Sequence, residues 1–382
     1  METIITICNR TNIPIEDKIN QLHACVQRIF QEPDVELISV NCEDVGYATP
    51  NFTTSGIYYL HGIANVRNHR EPWTMILKII KPDSTEKDHV QHHNYWRREA
   101  LVLESGLLQK LPDSIHTAKC YLVEEQQDGT VWIWMELVEG EYPRTIEQFS
   151  FIARQLGRFN GAYLTGKNRL PDQEWICRSW LRSWVSASRM YAPHLDGFAD
   201  QLNTDNEQRI WNWFQQWNRK VDSYIESLAR LPRVLAHQDL SQMNMLLVKG
   251  ERDMERLALI DWQFMSLSGI GEDLGKLFGV QMSLGIIAAD QFEEYQDSLY
   301  SAYLQGLDEM GWKGDENNVR YGYCISTAAR SVWEVPQYFA MSIKRKEEPQ
   351  NMELKEKVRR LEQIIAVHMK MASKIDSFKL VN

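Results

Sequence analysis

Apolar positions set the first outline of this chain. Ile15, Ile19, Leu22, Val26 and Ile29 fall three or four residues apart, which predicts an amphipathic helix over 15–30. β-branched and aromatic residues then take over, and 57–63 and 74–80 read as strands joined by the polar turn RNHREP. Over 88–108 the spacing of Trp96, Ala100, Leu103 and Leu107 predicts another helix. Segments 118–124 and 131–138 are again strand-like, with QQDG as the hairpin turn between them. Beyond 139–143 the pattern becomes helical, from 144–165 through 354–374. Two short apolar segments, 245–248 and 257–260, interrupt it on either side of the polar turn KGERDMER. This order predicts an α+β architecture of two lobes, a β-rich N-terminal lobe (1–139) and a mainly helical C-terminal lobe (140–382). The boundary between such lobes is a common place for a ligand.

Composition narrows the class. With 382 residues the chain exceeds one small core, and 43% hydrophobic with 25% charged residues is ordinary for a globular protein. No apolar stretch approaches the roughly 20 residues of a membrane helix, and the N-terminus lacks a secretory signal pattern, so a cytoplasmic protein with no membrane association is expected. The six cysteines show neither CxxC nor metal-site spacing and read as reduced thiols. A net charge of −10 argues against a nucleic-acid partner, whose phosphates need lysine and arginine, and is compatible with a cationic ligand. Several of the 13 tryptophans cluster in 175–217, where core packing and a groove wall explain them equally well.

The candidate chemistry lies in HQDLSQMN (237–244) and LIDW (259–262), on either side of the predicted small hairpin. Phosphoryl transfer from ATP needs Mg²⁺ on the phosphates and a carboxylate beside the acceptor hydroxyl. Asp239 suits the carboxylate that accepts the proton, and Asn244 and Asp261 suit metal ligands. His237 fits a structural role, holding the loop by hydrogen bonds. An independent check comes from MILKII, where Lys78 is a charge inside an apolar strand and therefore needs a buried partner. Glu99, between Trp96 and Leu103 on its helix, is the first choice, and Glu104 competes with it. Ser55 and Gly56 in TTSGIYY would bring backbone N–H groups near phosphates, although one glycine makes an ordinary turn about as good a reading. In MELVEGE, main-chain groups around Glu136 and Val138 would bind adenine.

Taken in order, Lys78, Glu99 in YWRREALVLES, MELVEGE, HQDLSQMN and LIDW followed by GIGEDLGKL resemble the aminoglycoside phosphotransferase/choline kinase family, which has a protein-kinase-like fold. The resemblance runs from about residue 50 to 280. It implies Asp239 as catalytic base, Asn244 and Asp261 as Mg²⁺ ligands, and Lys78 on the phosphates of ATP (or GTP) with Glu99 fixing it. Asp273 matches a structural aspartate that ties the catalytic loop to the next helix. Many members read HGDLHPGN where this chain has Gln238, Ser241, Gln242 and Met243. Many aminoglycoside enzymes carry glutamate after IDW, where this chain has Gln263. Asp-Phe-Gly, Ala-Pro-Glu and a triple-glycine loop are missing, which favours a small-molecule acceptor over protein.

The expected activity is a Mg²⁺-dependent O-phosphotransferase acting on a hydroxyl of a small polar molecule, such as an aminoglycoside or nucleoside antibiotic. A choline, amino-alcohol or sugar kinase is the alternative within the class, and a catalytically silent nucleotide-binding regulator the alternative outside it. Arg330, Trp333 and Glu334 form one candidate acceptor wall and 175–184 another. An acidic chain favours a cationic acceptor slightly, whereas Arg330 would suit an anionic one.

Overall fold

A computed structural model describes residues 5–46, 53–195, 197–250 and 255–378. The N-terminal part contains β1 (Thr6–Asn9), α1 (Ile19–Phe30), β2 (Val35–Asp44), β3 (Thr54–Val66), β4 (His69–Ile80), α2 (Arg98–Glu104), β5 (Ile115–Thr117), β6 (Cys120–Glu125) and β7 (Val131–Met135). The C-terminal part begins with α3 (Ile146–Leu164), α4 (Trp180–Tyr191), α5 (Asp205–Leu228) and β8 (Arg233–Ala236). It continues through β9 (Met245–Lys249), β10 (Glu255–Leu259), β11 (Ser266–Gly269), α6 (Glu272–Leu284), α7 (Phe292–Glu309), α8 (Glu316–Ala328), α9 (Ser331–Glu347) and α10 (Met352–Ile375). The architecture is the expected α+β, protein-kinase-like one. Among the described residues, no helix is long and apolar enough to cross a membrane, and the six cysteines form no disulfide.

One sheet of order β1-β2-β3-β4-β7-β6 organises the N-terminal part. Its β1–β2 pairing is parallel and its other pairings are antiparallel. Alternation along β4 decides what each face does. Trp73, Met75, Leu77 and Ile79 join Leu22, Cys25 and Val26 of α1 in one core. Ile76 and Lys78 therefore point to the opposite face, where they line a cavity. Lys78 sits between Ile57 of β3 and Ile133 of β7, so its charge is flanked by strands on both sides.

Three expectations need correction. The turn between β3 and β4 is the pair Arg67-Asn68, both at positive φ (51° and 67°), and not the six-residue RNHREP. That geometry matches the twist of a hairpin and lets the exposed residues 69–72 continue the strand. Strand β2 alternates polar and apolar residues along VELISVNCED, yet no strand was expected there. The helix expected over 88–108 shrinks to the two turns of α2.

Arg98 supplies the physical reason for that shortening. Its fully buried guanidinium donates to the carbonyls of Val90, His92, His93, Trp175 and Gln263 at 2.7–3.0 Å. The non-helical run 89–97 thus satisfies part of its backbone through a side chain. Two of the five carbonyls belong to the C-terminal part, so the same group fastens the two parts together.

The backbone of the C-terminal part carries the hairpin β9–β10, with β5 adding a parallel strand beside β10. The centre of the polar turn joining β9 to β10 (251–254) lies outside the described residues. Strand β8 pairs antiparallel with β11, which places the loop after Ala236 beside the segment that precedes Ser266.

Arg98→Met should cost about 3 kcal/mol or more, because five buried carbonyls lose their donor. Urea unfolding would measure this, and a loss below about 1 kcal/mol would contradict the role given to the guanidinium.

Candidate active site

Residues 237–244 leave β8 as a short loop held from beneath. The two carboxylate oxygens of Asp273, in the first turn of α6, accept from the backbone N–H groups of His237 and Gln238, both at 2.9 Å. Burial pushes the Asp273 carboxyl up to about 6, and these two hydrogen bonds oppose the rise. His237 is fully buried and bonded at both ring nitrogens. Its Nδ1 accepts from the Asp239 N–H at 3.2 Å, so its Nε2 donates to the Ile260 carbonyl at 3.1 Å. Burial holds its pKa down at about 4, so the ring is neutral and ties the loop to the end of β10. The expected structural roles of His237 and Asp273 thus have a geometric counterpart.

Gln238 adopts a left-handed conformation, φ 62°, at the position where HGDLHPGN motifs carry glycine. A side chain there is strained unless something holds it. Its amide nitrogen donates to Ser268 Oγ at 2.9 Å and Glu272 Oε1 at 3.0 Å, inside a fully buried pocket. The departure from the motif therefore comes with its own anchor.

The loop delivers Asp239 and Asn244 to one wall of a cavity of about 560 Å³, and β10 delivers Asp261. Asn244 donates through Nδ2 to the Asp239 carbonyl at 3.1 Å. Asp261 also has a left-handed backbone, φ 61°, directly after the hairpin. The opposite wall is the sheet. Lys78 Nζ lies 2.6 Å from Glu99 Oε2 and 3.0 Å from Asp261 Oδ2, so one ammonium bridges α2 and the β10 end. Burial alone would push Lys78 down, but the Asp261 and Glu99 carboxylates together hold it above the ordinary lysine value. For Glu99, burial outweighs the lysine and raises it. Glu104, the competing partner, is exposed at the end of α2.

Met135, Glu136, Leu137 and Val138 line the same cavity where the sheet hands over to the C-terminal part. The Glu136 N–H is taken by the Lys119 carbonyl at 2.8 Å. The Glu136 carbonyl and the Val138 main-chain groups have no protein hydrogen bond among the described residues. Ser55 and Gly56 lie at an irregularity at the start of β3, beside the cavity-lining Ile57, but do not line the cavity. A Cβ at Gly56 would come 2.5 Å from the Tyr58 hydroxyl, so packing already accounts for that glycine.

Arg330, Trp333 and Glu334 do not line the cavity either. Glu334 is buried and bonded to Arg330, Ser283 and His368, which draws it into the packing of α6, α9 and α10. Arg330 donates to Ser283 Oγ at 2.7 Å and lies over the Trp184 ring. Gln263 turns its amide to Thr53 and Asn94 of the N-terminal part. Sequence reasoning missed Lys276 of α6, although it is buried in a helix that is otherwise almost wholly apolar or glycine over 274–279. The signal was the same as for Lys78, a charge in an apolar run.

The family model described as "Phosphotransferase enzyme family" matches residues 62–313. The chain belongs to that family, and it is a phosphotransferase that acts on an alcohol group of a small molecule. Among solved structures it is similar to amicoumacin kinase hAmiN in complex with AMP-PNP, Ca²⁺ and Ami, at 12% identity over 91% of this chain and 95% of that one, with a TM-score of 0.51. It is also similar to choline kinase from Cryptosporidium parvum Iowa II, at 12% identity over 88% of this chain and 90% of that one, with a TM-score of 0.50. Spectinomycin phosphotransferase APH(9)-Ia with ADP and spectinomycin aligns at 14% identity over 92% and 98% of the two chains, with a TM-score of 0.48. No curated protein matches the sequence.

Asp273→Asn should lower unfolding free energy by about 1–3 kcal/mol, since two buried N–H groups would face one acceptor and an amide. Equal stability in urea titrations of the two proteins would remove Asp273 from its place as the loop's anchor.

Proposed function

We propose that this enzyme transfers the γ-phosphoryl group of ATP (or GTP) to a hydroxyl of a small polar molecule, with Asp239 as the base. The observation that carries the reading is that one cavity gathers Asp239, Asn244 and Asp261 on one wall and the Lys78–Glu99 pair on the other. A volume of about 560 Å³ is in the range of small-molecule sites. The unpaired main-chain groups of Glu136 and Val138 support adenine recognition at the far end.

The residues present fit a magnesium ion. Asp261 Oδ1 is buried without a hydrogen-bond partner, and Asn244 spends its nitrogen on Asp239, which leaves its oxygen available. A carboxylate and an amide oxygen are hard donors of the kind Mg²⁺ takes. Held by Asp261 and Asn244, the ion would neutralise charge on the phosphates. Lys78, kept in place by Glu99, would meet the α- and β-phosphates and give up its contact with Asp261. Asp239 would orient the acceptor hydroxyl and take its proton. The hydroxyl oxygen forms a bond to the γ-phosphorus, the bond to the β,γ-bridging oxygen breaks, and its electron pair leaves with the nucleoside diphosphate.

The named neighbours act on choline or on antibiotics, and those classes, with sugars and nucleosides, make the panel. Nucleotide consumption with Mg²⁺ across this panel, with Asp239→Asn as the blank, tests the activity. An acceptor-dependent signal lost in the variant is expected, and an equal signal in both proteins would overturn the reading. Asp239→Asn should reduce turnover about a thousandfold while nucleotide affinity stays near wild type.

Burial, partly offset by Lys276, raises the Asp239 carboxyl to about 6, so kcat/KM for the acceptor should fall as pH drops through that value. The sign follows from the role, because a base works only when deprotonated. A pH–rate profile flat to one unit lower would contradict it. Asp261→Ala should remove the magnesium dependence of nucleotide binding, measured with and without chelator. An unchanged metal requirement would take Asp261 out of the metal site.

A further inference from the structure

One guanidinium fixes both ends of a side-chain link at the edge of the nucleotide cavity. Arg98 donates to the carbonyls of His92 and His93, at 2.7 and 3.0 Å, and to that of Gln263, at 3.0 Å. Asn94 directly follows the first two, and its own N–H donates to His92 Nδ1 at 3.1 Å. The His93 N–H donates to Ser183 Oγ at 2.9 Å, so the backbone leading into Asn94 is held at successive residues. From the other end, the buried amide nitrogen of Gln263 donates to Asn94 Oδ1 and, at 2.9 Å, to Thr53 Oγ1 just before β3.

The Asn94 side chain is half-buried and lines the cavity. With Oδ1 accepting from Gln263, its nitrogen is the atom turned to the cavity, and among the described residues that nitrogen has no hydrogen-bond partner. The lining side chains that can donate into the cavity are Lys78, Asn94, Tyr142 and Ser241, since Asn244 spends its nitrogen on the Asp239 carbonyl. Tyr142 follows the connection at the adenine end, and Ser241 belongs to the loop that presents Asp239. Lys78 is occupied by the α- and β-phosphates. Asn94 is held by Gln263, two residues after Asp261, and Phe264 of the same turn lines the cavity with it. Its nitrogen is thus the donor left for the terminal phosphoryl group, which must lie between Asp239 and Asp261. That group brings negative charge to a site that already holds Asp239, Asp261 and Glu99, and a donor fixed in advance favours it.

We propose that Asn94 binds the γ-phosphoryl group, its Nδ2 donating to a non-bridging oxygen, and that Gln263 is a positioning residue that keeps this nitrogen turned to the phosphate. The inference rests on the phosphotransferase reading and adds a recognition element for the transferred group. Rotating the Asn94 amide by half a turn would set its oxygen against the phosphate and its NH₂ against that of Gln263. The donor from Gln263 therefore selects the useful orientation.

The test compares AMP-PNP with ADP, which lacks the terminal phosphoryl group, by calorimetric titration with Mg²⁺ present. Asn94→Ala should lower the ratio of the two affinities about tenfold or more, while ADP binds as to the wild type. Retained ADP affinity is the control for folding. Asn94→Asp keeps one oxygen for Gln263 and sets the other against the phosphate, so it should lower the ratio at least as far. Gln263→Met should lower it by a smaller factor and add nothing in the Asn94→Ala background. An unchanged ratio in Asn94→Ala or Asn94→Asp overturns the proposal, as does a loss confined to the acceptor KM, which would move Asn94 to the acceptor. Additive losses from Asn94→Ala and Gln263→Met would remove the positioning role of Gln263. If the Asn94 variants no longer bind ADP, the wild-type crystal with Mg²⁺ and AMP-PNP decides. Asn94 Nδ2 should lie within about 3.5 Å of a γ-phosphate oxygen, and a longer separation contradicts the contact. Asp239-dependent turnover alongside an unchanged ratio would sink Asn94 alone and leave the phosphotransferase reading intact. A wild-type protein that binds neither nucleotide would remove both.

Discussion

One buried ammonium sets the terms for the rest of this molecule. Lys78 is placed on the cleft face of β4 by the two-residue alternation of the strand, with hydrogen-bonded strands on both sides. A charge there is tolerable only if carboxylates come to it. Glu99 comes from α2 and Asp261 from the end of β10, at 2.6 and 3.0 Å. The first partner fixes α2 against the sheet, and the second draws the β9–β10 hairpin up to it. A polar requirement inside an apolar strand thereby aligns the two walls of the cavity.

The lower wall answers to a similar constraint. Asp273 feeds both its oxygens to the loop backbone, His237 spends both ring nitrogens on main-chain groups, and the Gln238 side chain anchors its own left-handed turn. With these three groups holding the loop's shape, Asp239 and Asn244 remain turned to the cavity. Arg98 does the corresponding work between the walls, trading a run of helix for five carbonyl contacts that span the two parts.

Much of the candidate site was legible in the sequence because its signals are local. HQDLSQMN and LIDW name their own residues, and MILKII announces a charge that must find a partner. The choice between Glu99 and Glu104 followed from which lay nearer the apolar face. What escaped were features settled by tertiary contacts. The periodicity of Trp96, Ala100, Leu103 and Leu107 is real, but Arg98 satisfies the preceding backbone without a helix. RNHREP looked like a turn because it is polar, whereas only Arg67-Asn68 turns and the remainder is exposed strand. The acceptor wall around Glu334 could not be judged from spacing, since its partners Ser283 and His368 lie far away in the chain. Lys276 carries the same local signal as Lys78, a charge inside an apolar run.

The central claim is that Asp261 is shared: it pairs with Lys78 in this structure and would turn to metal when nucleotide arrives. A crystal grown with a non-hydrolysable ATP analogue and Mn²⁺ in place of Mg²⁺ tests this most directly, because manganese gives an anomalous signal. The account predicts a peak beside the side-chain oxygens of Asp261 and Asn244, with Lys78 still on Glu99 but moved from Asp261 to a phosphate oxygen. Nucleotide bound with Lys78 still bridging both carboxylates, or metal held away from Asp261, would contradict it.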